Sequence, residues 1–463
     1  MKMNEVGAVV INTVCDNCPV NIKMLECLGA KVRGKHLNPR LSIENVLSNP
    51  VYVLMDPPHL MKLTRNTLGD YQTLIDVEGK KVKWELIKNL QKLQEQEKLD
   101  VANKLSKAHI GYSKNKMKVK FATQTLSRSV SNALLFCSKD LNLEEFSEAE
   151  ATSEFLLYFD QLFDIMNSKN LNGKFSKAPM TIRNRQYWEE QFRKCETYIR
   201  GLSHENGQPV TEGRRSAAFL EWLINIEAFR MIFDELLGSN SIKFLLTYKL
   251  SQDPLEIFFS CIRASLGFNN NPTCSQFQAA FKKLLAGAAN KTNSANCLWD
   301  SDMTVLMNSS NARTTSAALE KVFPPTAEET NSNWLEVLCN SEQNSDYKEN
   351  VLVYIAGFIQ RRLQVKESCE TCIASLSNSS SICTSNLITR KDLGGLVKPT
   401  DSVVKVVMTA NRVFEAAAAT KNIAEEKFLF QKLLISALKS SKEDILLNSM
   451  NIPQRLSITT EQK

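Results

Sequence analysis

The chain has 463 residues, 43% of them hydrophobic and 23% charged, the composition of an ordinary globular protein of two to four domains. No apolar run reaches the roughly 18 residues that a membrane-spanning helix needs, and the start, MKMNEVGAVVINTVCDN, lacks a secretory pattern. The net charge of +7 is concentrated early: residues 1–120 carry 20 Lys and Arg against 12 Asp and Glu, a balance that suits nucleic acid, nucleotide phosphate or a merely solvated basic face.

Residues 8–15 are short, apolar and β-branched, so they read as a buried strand ending at Asp16. Asn17 to Leu28 read as a helix closed by Gly29. Residues 51–55 read as a second strand, stopped by Asp56-Pro57-Pro58, and His59 to Leu68 as the next helix. This opening is a piece of an α/β domain. From Val82 to about Leu237 the apolar spacing turns helical, as in Trp84, Ile87, Leu90 and Leu93. Leu245 to Leu285 read as a helix, residues 286–349 as a polar linker, residues 350–440 as helical and residues 441–463 as a tail.

Several residue sets carry chemistry. Asp253 and Glu256 sit three apart on one helix face, where they suit a hard divalent cation. The same spacing also fits a capping box with Asp253 as N-cap. Asp16 and Asp56 at strand ends add carboxylates, and converging carboxylates with metal are what phosphodiester chemistry needs. Asp16 also suits a helix cap. In Phe163-Asp164-Ile165-Met166-Asn167 an aspartate, an asparagine and an aromatic lie close together, able to read and stack a guanine or to form a plain helix end. Lys114, Lys116, Lys118 and Lys120 alternate, which suggests one charged face of an extended piece. Twelve cysteines without a secretory pattern suggest an intracellular chain with reduced thiols. Cys369-x-x-Cys372 is half of a zinc-site pattern and lacks a second pair. No Walker-type loop, GxSxG or HExxH occurs.

Taken in order, these segments resemble the P-element-type DNA transposases, including their THAP-domain relatives. The resemblance rests on Val14-Cys15-Asp16-Asn17, Asp56-Pro57-Pro58-His59-Leu60-Met61-Lys62, Asn103-Lys104-Leu105, Phe163-Asp164 with Asn167-Ser168, and Leu246-Thr247-Tyr248-Lys249-Leu250-Ser251-Gln252-Asp253-Pro254-Leu255-Glu256. It implies a fold that is α/β plus all-α: a partial RNase H-like domain split by a helical GTP-binding insertion domain, with a helical C-terminal region. The expected division is 1–78 and 241–287 for the RNase H-like parts, 79–240 for the insertion, 288–349 for the linker, 350–440 for the C-terminal region and 441–463 for the tail.

By the same resemblance, Asp16 and Glu256 are catalytic and hold Mg²⁺. Asp164 and Asn167 read the guanine of GTP, Phe163 stacks on it, Lys104 meets phosphate and Asp253 holds the nucleotide's metal. The implied partners are DNA and GTP, with a homo-oligomer allowed and a membrane not, and the implied location is nuclear. The family's first catalytic Asp belongs to a strand well before the position of Asp16, so the chain is expected to lack it, along with a zinc-coordinating THAP domain. Ala218 stands where the family usually has glycine. The expectation is therefore a transposase or transposase-derived protein, incomplete as a catalyst. The alternative is a domesticated, non-catalytic protein that binds GTP and DNA.

Overall fold

The structure is a computed structural model that describes residues 6–41, 50–289, 344–366, 370 and 385–420. In chain order the main elements are β1 (Asn12–Cys15), α1 (Pro19–Cys27), β2 (Arg40–Leu41), β3 (Val51–Met55), α2 (Pro57–Tyr71) and α3 (Trp84–Glu97). There follow α4 (Val119–Thr125), α5 (Arg128–Leu135), α6 (Ala149–Met166), α7 (Arg185–Gly201), α8 (Ala217–Phe233), α9 (Asp253–Ser265) and α10 (Cys274–Ala289). The last three are α11 (Asp346–Lys366), α12 (Asn386–Lys391) and α13 (Asp401–Thr420). The chain divides into two compact units. One comprises residues 1–79, 116–123 and 158–327, the other residues 80–115, 124–157 and 328–463.

In the first unit, β3 is buried at all five positions, as its unbroken apolar run requires for a strand covered on both faces. β1 pairs with it in parallel, Asn12 opposite Tyr52 and Cys15 opposite Met55, while β2 pairs antiparallel on the other side. The two parallel strands end level, so Asp16 and Asp56 leave the sheet side by side. β1 is shorter than the expected strand over residues 8–15. α2 starts on Asp56, and Pro57 and Pro58 occupy its first turn, where a missing N–H costs nothing.

α8 is apolar nearly all round, as a central helix should be, and buries Phe219, Trp222, Ile224 and Phe229. It is keyed to the sheet by Asn225. The side chain of Asn225 accepts from the Met55 N–H at 2.8 Å and donates to the Met55 carbonyl at 2.7 Å. Met55 faces the side where β2 has already ended, so one side-chain amide replaces the missing strand. Trp222 also donates its indole N–H to Thr64 on α2 at 2.9 Å.

Two expectations about elements change here. The expected single helix from Leu245 to Leu285 is broken into a 3₁₀ turn (Thr247–Leu250), α9 and α10. The break between the two helices falls at Gly267 and Phe268, both with left-handed backbone that no helix continues. The lysine run at 114–120 is not extended: it forms a 3₁₀ turn (Tyr112–Asn115) and the start of α4. Its alternation reflects solvent exposure of Lys114, Lys118 and Lys120, with Lys116 bonded to Asp70.

In the second unit, α3 buries Trp84, Leu86, Ile87 and Leu90. α11, α12 and α13 share a core of Leu352, Val353, Ala356, Ile388, Val403, Val404 and Val407. Arg390 grips Asp140 with two hydrogen bonds of 2.7 and 2.8 Å, which ties this C-terminal core to the rest of the unit. The Cys369-x-x-Cys372 pattern, most of the expected linker and the whole expected tail lie outside the described residues. Among the described residues, no helix is long and apolar enough to cross a membrane.

Candidate functional site

The two strand-end aspartates do different work. Asp16 is half-buried, and its Oδ1 accepts from Asn21 Nδ2 at 2.9 Å and from the Cys18 N–H at 3.3 Å. Its role is not that of an N-cap: α1 is capped at Cys18. Among the described residues, only one of its oxygens is engaged by hydrogen bonds. Asp56, by contrast, is buried and has both oxygens in use. Oδ2 accepts from the His59 N–H at 3.1 Å, capping α2, and Oδ1 accepts from the Gln252 N–H at 3.0 Å. The Asp56 N–H in turn donates to the Cys15 carbonyl at 3.1 Å. One residue thus joins the end of the Asp16 strand to the start of the helix that carries Glu256.

That helix, α9, begins with Gln252 as N-cap and with no side-chain cap bond, so the expected capping box of Asp253 and Glu256 does not form. Both side chains are left for other work. Glu256 is exposed and makes no side-chain hydrogen bond or ion pair among the described residues. Asp253 Oδ2 pairs with Lys169 Nζ at 3.3 Å.

Burial pushes the Asp56 carboxyl up to about 6, against its two N–H donors, and Asp253 and Glu256 push in the same direction. Glu221 is more extreme. It lies on α8 at 3% exposure, with neither carboxylate oxygen hydrogen-bonded among the described residues. Burial raises it to about 8, and Asp16 is the next cause. One turn further along α8, Asn225 locks onto Met55. Nothing in sequence spacing singles out Glu221; only a charged residue inside an otherwise apolar helix could have drawn the eye.

The segment read as a base-binding cluster closes α6. Asp164 pairs with Lys177 at 3.6 Å, Phe163 is half-buried, and Asn167 Oδ1 is buried with no hydrogen-bond partner among the described residues. The Ser168 N–H donates to Thr247 Oγ1 at 2.9 Å, and Thr247 Oγ1 donates to the Ile165 carbonyl at 2.6 Å. This stitching places the end of α6 beside the 3₁₀ turn that leads to Asp253, and the Lys169–Asp253 pair completes it. Asp164, Asn167 and Asp253 therefore belong to one neighbourhood of the first unit. Lys104 is exposed and belongs to the second unit. Arg65 is wholly buried and donates Nε to Asn66 Oδ1 at 2.8 Å and Nη2 to the Lys116 carbonyl at 3.2 Å. Among the described residues, no group of three or more His, Cys, Asp or Glu is gathered closely enough to hold a metal ion.

Three family models match the chain in collinear order. They are the TNP-like GTP-binding insertion domain over residues 58–179, the TNP-like RNase H C-terminal domain over 248–282, and the C-terminal domain of DNA transposase THAP9 over 343–451. Human DNA transposase THAP9 is 26% identical over 429 residues, which cover 89% of this chain and 46% of the relative. The Transposable element P transposase of Drosophila melanogaster is 24% identical over 394 residues, 84% of this chain and 49% of the relative. The chain thus spans about half the length of these curated relatives. A solved structure described as the Drosophila P element transposase strand transfer complex aligns with a TM-score of 0.53 at 25% identity, over 63% of either chain.

The fold is that of a mixed α/β, mostly helical transposase-type chain, in which an RNase H-like core is combined with a GTP-binding insertion domain. Together the three models, the two relatives and the solved structure support a P-element-type transposase family for this chain.

Proposed function

We propose that this chain acts on DNA as a P-element-like transposase or a protein derived from one, through a metal-dependent RNase H-like site, with GTP as a positioning cofactor. Asp16 and Glu256 are the carboxylates assigned to Mg²⁺. They fit a hard cation by donor type, and among the described residues each keeps carboxylate oxygen free of hydrogen bonds. A bound divalent cation would supply Lewis-acid activation of a phosphoryl oxygen and of the attacking hydroxyl or water. The chain's own contribution is positional. Asp56 holds the start of the Glu256 helix against the strand pair that ends in Asp16, and this clamp is the observation that carries the reading. Asp164, Asn167 and Phe163 are assigned to the guanine, Asp253 to the nucleotide's metal and Lys104 to phosphate. The proposed division keeps residues 1–78 and 241–287 as RNase H-like parts around an insertion over 79–240. DNA as the substrate places the protein in the nucleus.

The test is nicking of transposon-end DNA by the chain with Mg²⁺ or Mn²⁺, compared with Glu256→Gln and Asp16→Asn. Nicking that both variants lose, with DNA binding kept, is the expected result. Nicking that survives both substitutions overturns the site assignment. A second reading, a non-catalytic GTP- and DNA-binding protein, is favoured by the lack of a gathered three-ligand group among the described residues. It predicts guanine-nucleotide binding with no nicking at all.

A further inference from the structure

In the first unit a cleft of about 520 Å³ opens beside the end of β1. Its walls include Asn17, Thr67, Asp70, Tyr71, Arg214 and Arg215, and its floor is the start of α8. The volume suits a ligand the size of a single nucleotide. Its charge is positive. The one carboxylate, Asp70, is engaged by Arg215 and by Lys116, the latter at 3.3 Å. Arg214 adds a further cation, exposed and with no ion pair or hydrogen bond among the described residues. The start of α8 has no side-chain cap: the hydroxyl of its N-cap, Ser216, donates back to the Gly213 carbonyl at 2.9 Å. The first-turn N–H groups of Ala218 and Phe219 donate to the Arg215 and Ser216 carbonyls at 3.2 and 3.0 Å, so the cation the cleft offers is Arg214. Tyr71 is 40% exposed, its ring backed by His204 at 4.3 Å between centroids. Asn17, whose side chain makes no hydrogen bond among the described residues, directly follows Asp16.

An exposed guanidinium with no partner among the described residues and a half-exposed aromatic around one nucleotide-sized opening are the chemistry of a nucleic-acid backbone contact. We propose that the cleft takes one nucleotide of a DNA strand, its phosphate on Arg214, its sugar or base against Tyr71. Bound there, the strand runs past Asn17 and presents its neighbouring phosphodiester to Asp16. The inference rests on the reading of the chain as DNA-handling. Free nucleotide phosphate shares the same chemistry, and the test separates the two.

The experiment measures fluorescence anisotropy of labelled single-stranded and duplex oligonucleotides with the 463-residue chain, without divalent metal, across about 50 to 200 mM salt. Arg214→Ala is expected to weaken binding several-fold, about equally for unrelated sequences, and to reduce the salt slope by about 0.7 to 0.9, one phosphate's share. Arg214→Lys should keep most of that slope. Fluorescent GTP should bind Arg214→Ala as it binds the parent. Crosslinking from an iodouracil-bearing oligonucleotide should map to Tyr71. Parent-like affinity and slope in Arg214→Ala, with the parent binding DNA, overturn this inference and leave the DNA reading standing. Loss of GTP binding with DNA binding intact assigns the cleft to free nucleotide and overturns it as well. A parent that binds no DNA overturns both.

Discussion

The backbone N–H of Gln252 donates to Asp56 Oδ1 at 3.0 Å across 196 residues of sequence. Through this bond, two segments far apart in the chain meet at the mouth of one helix. The Asp56 carboxylate is also the cap of α2, so it fixes two helix starts from a single strand end.

Asp56→Asn tests this clamp. An amide has one acceptor oxygen, so its NH₂ must face one of the two N–H donors. The expected cost at pH 5 is about 1 to 3 kcal/mol, measured by urea denaturation. The pH dependence has a definite sign. The folded state takes up the Asp56 proton near 6 and an unfolded aspartate near its ordinary 3.8, so this group's contribution to stability declines as pH rises through that interval. Asp56→Asn should flatten that decline. An unchanged slope between pH 4 and 6 would show that the burial of Asp56 is not what shapes it.

Glu221→Gln should stabilise the protein, most clearly above neutrality. The carboxyl is raised from 4.5 to about 8, so folding loses stability as pH rises from about 4.5 to 8 while the folded state holds a proton that the unfolded chain has released. The glutamine keeps the shape and carries no charge. Thermal denaturation at pH 5 and pH 8.5 should give a larger gain at the higher pH. Equal shifts at both would place a partner on Glu221.

Asn225→Asp removes the donor that serves the Met55 carbonyl and leaves a buried charge. Asn225→Leu leaves both Met55 groups unpaired. Each should cost on the order of 2 to 5 kcal/mol, because an orphaned buried polar group pays its whole desolvation penalty. Chemical denaturation of both variants measures this, and a cost below about 1 kcal/mol would mean that water or relaxation replaces the amide.

Asp164→Ala should abolish any preference for GTP over ATP, with the fold of the variant checked by its thermal unfolding. Competition binding with the two nucleotides checks this. Equal affinity for both in the unmutated chain would defeat the assignment of Asp164 and Asn167 to guanine.

Much of this architecture was legible in the residues. The run Val51-Tyr52-Val53-Leu54-Met55 had to be a buried strand, and Asp56-Pro57-Pro58 had to stop it and start a helix, because proline accepts only the first turn. The order of motifs pointed to the family. The helix from Leu245 was misjudged, since apolar spacing continues across Gly267 and Phe268 and gives no warning that both residues adopt left-handed backbone. The capping box at Asp253 was equally plausible on spacing, and it lost to Gln252, whose N–H is claimed by Asp56.

The local sequence, then, determined where strands and helices begin and which carboxylates stand at their ends, because backbone sterics and apolar periodicity act over a few residues. Tertiary structure decided which of those carboxylates are spent and which are free. Asp16 and Asp56 look alike in sequence, each an aspartate after a short apolar run. Packing gave one of them a donor from 196 residues away and the other an open oxygen, and it sealed Glu221 inside an apolar helix. Hydrogen-bond partners and desolvation come from contacts remote in the chain, and no spacing rule can see them.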